Sequence, residues 1–593
     1  MRFGPDVCRD FDAASTHEWL ETNGLGGYAC STISGANTRR SHALLTACNL
    51  HTGQRTLYLA RVEEAVIIEG RRFDLSCNVY ADSVHPLGFR WLRGFSAHPF
   101  ATFEFGDGSF EIHKTVFMPH GENATVVRYR VIRADAPLVL ELRPLVTARR
   151  IDGLTAESLE GTPRVMDLGS RLLLQFGNGE ESFQVAHNGS RTAPTGHWYR
   201  TFRFPADDPD AGLEDLYNPQ AIQFEVQEAG EAWLVASTRI EAVMQETVDG
   251  WTRFEERRRA HLSFARGRRP QTHEHADLLR VADRFLVRRN DGSGAICDRY
   301  PLPAESTAAA CIALPGLTLA TGRWRHALAV LRELAGRSRE GLLPEAVSGP
   351  GCAESSFWFV YAVDRYLRYT GDAATVDREF YPLVRRILDL LSETEEDGLI
   401  PTPRPDRSGL HRRADIQALW YNALGVALFL AQNARERQAA RRFSALSRRC
   451  RASFHCLFWC DAGNALADAV GPDGPEERVS PRQLLAASFA DSMLDRRQRQ
   501  AVVEQVLRGF GSAAGLLDCG AWWVGPLATA YVLAYGRSAA TIDFVRQLLA
   551  PLQTQLSGAP ISSIPPAGRE PLWDAVAAAE VLRVLSEHVL EIR

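Results

Sequence analysis

Near residue 270 the spacing of apolar residues changes from every second position to every third or fourth, and no single layer of secondary structure accommodates both periods. The chain therefore reads as two domains, 1–270 and 271–593. Before the change, ATFEFGDGSFEIHKTVF alternates Phe103, Phe105, Phe110 and Ile112 about Asp107-Gly108, a pair suited to a tight hairpin turn. The alternation recurs in TVVRYRVI, PLVLELRPLV, AIQFEVQ, EAWLVAS and RLLLQFGNGEESFQV, the last with an Asn178-Gly179 turn. Strands that succeed one another with no helix between them predict a large antiparallel β-sandwich.

From about 272 onward the sequence divides into twelve helical segments, among them 305–321, 353–370, 415–434, 481–491 and 571–592. STAAACIALPGLTLA and ALWYNALGVALFLA are apolar nearly all round, so they need a second layer of helices outside them. Six helical hairpins closed into a double ring meet that requirement, and the fold class expected is α+β multidomain, a β-sandwich followed by an (α/α)6 barrel. An open solenoid is disfavoured because no fixed repeat of 34 or 40 residues is present.

Composition narrows the partners. Lys plus Arg number 67 against 72 Asp plus Glu, a net charge of -5, which provides no broad cationic face for nucleic acid or anionic lipid. No window holds 18 consecutive apolar residues, and MRFGPDVCRDFDAAS lacks the pattern of a secretory signal. Eleven cysteines scattered from Cys8 to Cys519 suit reduced thiols, so a cytoplasmic address is expected, with neither nucleic acid nor membrane as a partner. The sequence leaves room for a homo-oligomer and does not fix the oligomeric state. Cys450, His455, Cys456 and Cys460 fall within eleven residues, but on one helix only Cys456 and Cys460 share a face. Buried thiols are the expectation there, and neither a metal nor a cofactor is expected anywhere in the chain.

The segment HEWLETNGLGGYACSTISGANTRRSHALL interrupts strand-like sequence with Gly24, Gly26, Gly27 and Gly35. Gly24-x-Gly26-x-x-Ala29 matches a dinucleotide fingerprint in spelling alone, since no βαβ unit surrounds it and Ser-Thr-Ile-Ser comes next in place of a helix. Asn37, Arg39, Arg40 and His42 supply many donors, a composition suited equally to a hydroxyl-rich ligand and to an interface.

ETNGLGGYACSTISGANTRRSHALLTA closely resembles the opening of the bacterial and archaeal type glycogen debranching enzymes. IALPGLTLATGRW, SSFWFVYAVDRYLRYTGD, DGLI, ALWYNAL and SPRQLLAAS resemble successive landmarks of that family's helical domain, in order. The resemblance implies a β-sandwich followed by an (α/α)6 glucosidase domain and, in activity, an amylo-alpha-1,6-glucosidase that hydrolyses the α-1,6-linked glucose of a branch stub with inversion. Its partner would be an α-glucan or oligosaccharide. Inversion requires one protonated and one ionised carboxyl about 6.5–9.5 Å apart.

The resemblance also exposes departures. The family places its likely acid in a Thr-Trp-Met-Asp segment between the fifth and sixth helices, for which this chain has only DGLIPTPRPDRSGLHRRADIQALW, with Asp397, Asp406 and Asp415. Before the last helix, Ile561 stands where the family often has Glu, leaving Glu570 and Asp574 nearby. Glu305 stands in an eroded substrate-holding cluster, Glu354 falls where the family tends to have Asp, and Glu345 adds a further carboxylate. Asp415, Glu354, Glu305, Asp406 and Glu570 are therefore the candidate catalytic residues. Asn37, Arg39, Arg40, His42, Glu345, Trp358, Trp420, Tyr421 and Trp522 are the candidates for holding sugar. Loss of both expected carboxylates leaves an alternative, a catalytically degraded relative that binds glucan or a partner without hydrolysing it.

Overall fold

Alternating apolar residues in the first part of the chain build two antiparallel sheets. The structure is a computed structural model that describes all residues except 1, 50–51, 160, 180, 208–211, 263–272, 290, 302–304, 347–348, 404–409, 512–514, 517, 557–572 and 591–593. One sheet has nine strands and includes Leu92–Ser96, Ala101–Gly106, Phe110–Phe117, Ala124–Ala134 and Glu231–Ser237 as successive neighbours. The other includes Glu214–Val226, Leu138–Arg150, Arg55–Ile68, Ala43–Cys48, Tyr28–Thr32 and Glu18–Thr22. Phe103, Phe105, Phe110 and Ile112 all face the shared core, where they pack with Leu140, Leu142 and Val66. The hairpin at Asp107-Gly108 turns as its sequence predicts: Gly108 adopts φ 116, and the Asp107 carboxylate accepts from the Ser109 amide at 2.8 Å.

The chain falls into two compact units, the first holding Met1–Ser263 and the second most of the remaining residues. The first unit also contains a helix, Gln245–Leu262, that the sequence reading lacks. Its inward face is built on Val248, Thr252 and Glu255 instead of an apolar stripe, so periodicity alone does not show it. Glu255, fully buried, accepts from the His120 amide at 2.9 Å and pairs with Arg258 and Arg259.

The second unit is a double ring of helices. In chain order they are α1 (His273–Arg284), α2 (Thr307–Leu314), α3 (Trp324–Gly336), α4 (Ala353–Thr370), α5 (Tyr381–Thr394), α6 (Ala414–Asn433), α7 (Arg437–Phe458), α8 (Gln483–Ser488), α9 (Arg496–Phe510), α10 (Val524–Tyr535), α11 (Ala539–Leu556) and α12 (Ala575–Val584). The even-numbered helices form the inner ring: α2 packs on α4, then α6, α8, α10 and α12 succeed one another, and α12 returns to α2. The nearly all-apolar segments are the inner ones, and Trp420, Ala423, Leu424 and Ala427 of α6 are buried accordingly. Among the described residues α6 is also the one helix long and apolar enough to cross a membrane, and here its apolar surface is consumed by the ring. Because inner and outer helices alternate along the chain, the inner six run in one direction, with their amino-terminal ends at one rim.

Candidate functional site at the amino-terminal rim of the inner helices

Three inner helices begin at this rim with a carboxylate within reach of their first turn. Before α2, Ser306 caps the helix by accepting from the Ala309 amide at 3.0 Å. A two-residue antiparallel pairing of Leu343–Pro344 with Gly351–Cys352 precedes α4 and carries Glu345 at its tip. Glu345 is exposed and accepts hydrogen bonds from the hydroxyls of Ser306 and Ser355. Glu354 lies in the first turn of α4 and Asp415 in the first turn of α6.

Arg413 ties two of these together. Its guanidinium pairs with Asp415, Nε to Oδ1 at 3.1 Å, and Nη1 lies 3.6 Å from Glu354 Oε2. Asp415 is 5% exposed and also accepts from the Ile416 amide at 2.9 Å, whereas the Glu354 side chain is 44% exposed. The two carboxylates thus differ in access to solvent. The pKa of Glu354 is raised from its ordinary value, chiefly because partial burial of the carboxyl disfavours its charged form; Asp415 and Glu345 add to this, while Arg413 and Arg482 oppose it.

The other sequence candidates occupy different environments. Glu305 is placed between Arg289 at 2.9 Å and Arg337 at 2.8 Å. Burial raises its pKa, but the two guanidiniums outweigh burial and hold it below the ordinary range, so Glu305 is a paired anion and an unsuitable proton donor. Asp406 and Glu570 lie outside the described residues. Asp574 caps α12, accepting from the amides of Val576 at 2.7 Å and Ala577 at 3.0 Å.

The glycine and arginine motif is held largely by contacts within its own domain. Asn37 is buried, accepts from Ser31 and donates to the carbonyls of His42 and Ala60 at 3.2 and 3.1 Å. Arg39 pairs with the buried Glu18 at 2.7 Å, and His42, also buried, sits 3.4 Å from the same carboxylate. Arg40 pairs with Asp207 at 3.2 Å. These donors hold the sandwich loop in place, which corrects the expectation that Asn37, Arg39 and His42 grip a sugar. Glu18, Cys30 and His42 bring their ligand atoms within 4.8 Å of one another, a grouping the sequence reading missed. The Arg39 guanidinium already neutralises its carboxylate.

Of the aromatic candidates, Trp420 is fully buried and donates to the Gly398 carbonyl at 3.0 Å, so it belongs to the core and offers no face to a sugar. Trp358 is buried as well, edge-on to Trp522 at 6.5 Å. Trp522, in the short turn before α10, and Tyr421 are only partly covered. The expectation of buried thiols in the Cys450 to Cys460 cluster holds for Cys450 alone: Cys456 and Cys460 are exposed, and His455 lies 2.8 Å from the Met493 carbonyl. Arg413, Ser306 and Ser355, which organise the carboxylates, were missed by sequence reasoning. The Ser306 cap was the one visible signal, a Ser directly before an apolar helical run.

Two family descriptions match the chain in succession. Residues 17–233 match "Glycogen debranching enzyme N terminal", and residues 283–396 and 393–518 match "Amylo-alpha-1,6-glucosidase". The chain belongs to the glycogen debranching enzyme family. Among solved structures, this family member is similar to a bacterial glucoamylase complexed with acarbose, at 9% identity and a TM-score of 0.57, covering 97% of this chain and 94% of that one. It is similar also to a protein described as a kojibiose phosphorylase, from the human microbiome, at 8% identity and a TM-score of 0.51, covering 98% of this chain and 88% of that one. These likenesses establish the fold: an antiparallel sheet domain followed by a glucoamylase-like (α/α)6 barrel. No curated protein matches the sequence.

Proposed function

We propose that this debranching-family chain is an α-glucan hydrolase that removes α-1,6-linked glucose with inversion, using Glu354 as the general acid. The observation that carries the reading is the environment of Glu354. It is the accessible carboxyl at the inner-helix rim whose pKa is raised, with Asp415 and Glu345 contributing to the rise. Pushing the pKa values of neighbouring carboxyls apart divides them into acid and base. Glu345, exposed and oriented by Ser306 and Ser355, is the carboxylate able to activate water; Asp415 is engaged by Arg413 and the Ile416 amide and helps to raise the pKa of Glu354. Trp522 supplies a partly covered ring for the apolar face of a glucose unit.

In the proposed reaction, Glu354 delivers its proton to the oxygen that bridges the branch glucose and the main chain. Glu345 takes a proton from water as the water attacks the anomeric carbon from the opposite face, and free glucose leaves. Incubation of the purified protein with a branched limit dextrin tests this: wild type releases glucose and Glu354→Gln does not. Equal silence of both overturns hydrolysis. A second reading, glucan binding without hydrolysis, is favoured by one observation, the insertion of Arg413 between Glu354 and Asp415. Calorimetric binding of a malto-oligosaccharide by a protein that releases no glucose would select it.

A further inference from the structure

The opposite rim, where the inner helices end, contains a cavity of about 420 Å³, within the range of small-molecule sites. Its walls come from the second halves of α4 and α10, the ends of α8 and α12 with the residues that follow them, and the middle of α6. None of the carboxylates assigned to catalysis lines it.

Charge in this cavity is matched internally. The Glu587 carboxylate receives Arg365, the Tyr369 hydroxyl at 2.6 Å and Arg583 at 3.2 Å. Arg583 also pairs with Glu580 at 2.6 Å, and Arg368 with Asp364 at 2.7 Å. An incoming anion would find no unclaimed cation among these groups and would face Asp364, Asp491 and Glu587. An incoming cation would face three arginines. Hydrogen bonding, by contrast, is incomplete: Asn422 Nδ2, His588 Nε2 and Arg365 Nε are buried, lack a partner and belong to residues lining the cavity. Unmade hydrogen bonds at buried polar atoms are costly, and a ligand whose hydroxyl groups, each both donor and acceptor, reach them recovers that cost. Tyr361 and Phe489, ring centroids 6.0 Å apart, add apolar surface to the wall. Charge neutrality, unused polar atoms and aromatic walls together are the chemistry that recognises a neutral polyhydroxylated ring.

We infer that the cavity at the carboxy-terminal rim is a second, non-catalytic site for a neutral sugar of one or two pyranose rings. It does not depend on the hydrolytic assignment at the other rim. Calorimetric titration with maltose tests it on the full chain carrying Glu354→Gln, which prevents turnover, with two cavity variants added to that background. Asn422→Ala removes an unpartnered donor, and Ala490→Trp, at an exposed lining position, fills the cavity from its edge. The site predicts that each variant weakens a maltose-binding event by about fivefold or more with the melting temperature unchanged. Identical titrations for the parent and Ala490→Trp would overturn it and leave a water-filled cavity, as would the absence of heat from the parent at millimolar maltose. Glucose release from limit dextrin by the Ala490→Trp change in the otherwise wild-type chain, at the parental rate, would show that loss of this site and loss of hydrolysis are separate events.

Discussion

Glu354 is useful as an acid only while it holds its proton, so its environment dictates the shape of a pH profile. A general acid fails as pH rises through its pKa, and that of Glu354 is raised from its ordinary value by burial, Asp415 and Glu345. The basic limb of kcat is therefore predicted to lie higher than an ordinary glutamate would place it. Arg413 works in the opposite direction, favouring the charged form. Arg413→Met is predicted to move that limb further toward alkaline pH, readable in an initial-rate profile; a limb that stays in place or moves toward acid contradicts the assignment. At this scale much of the site is legible in the sequence: Glu345, Glu354 and Asp415 group there as one acidic pocket, and the structure brings them together at one rim. Glu305 groups with them by sequence and is instead claimed by Arg289 and Arg337. Arg337 lies 32 positions along the chain, a distance at which charge pairing leaves no local pattern.

At the scale of elements, closure of the inner ring depends on backbone approach as well as on apolar burial. α2 runs into the turn Pro315–Leu319, which packs against α12, and a Cβ placed on Gly316 would lie 1.8 Å from the Ala579 carbonyl oxygen. No side chain fits there without separating the first and last inner helices. Gly316→Ala is predicted to destabilise the protein by about 1–3 kcal/mol or more through overpacking, measured as a lowered melting temperature or denaturation midpoint. An unchanged midpoint would show that the ring closes differently. The inner helices are readable because they are apolar nearly all round; α4, expected over 353–370, spans Ala353–Thr370. α8 is expected over 481–491 and covers only Gln483–Ser488. The helix Gln245–Leu262 escapes because paired charges replace apolar residues on its buried side.

Across the whole molecule, buried charge makes stability depend on pH in a defined direction. In Glu18 and Glu587 burial alone would raise the pKa, but His42 and Arg39 in the first case, and Arg365 and Arg583 in the second, hold each carboxyl at about 2 against 4.5. In both, the unfolded chain takes up the proton first as pH falls, so the stabilisation present above 4.5 is lost between 4.5 and about 2. Burial lowers His187 and His588 from 6.5 to about 4, and by the same sign folding weakens as pH falls through that window. Denaturation midpoints are therefore predicted to decline from about pH 6.5 and more steeply below about pH 4.5; a midpoint that is flat from pH 7 to 4 would contradict these environments. The order of sandwich and ring is legible in the change of period near residue 270, because alternation and helical spacing are carried by every strand and helix. The chemistry is less legible, since it depends on how each of several carboxylates is paired at the rim. Proton NMR of glucose released from a branched limit dextrin measures that chemistry most directly. β-Glucose is predicted to appear first from wild type and not at all from Glu354→Gln; no glucose from wild type, or equal release by the two proteins, would contradict inverting hydrolysis through Glu354.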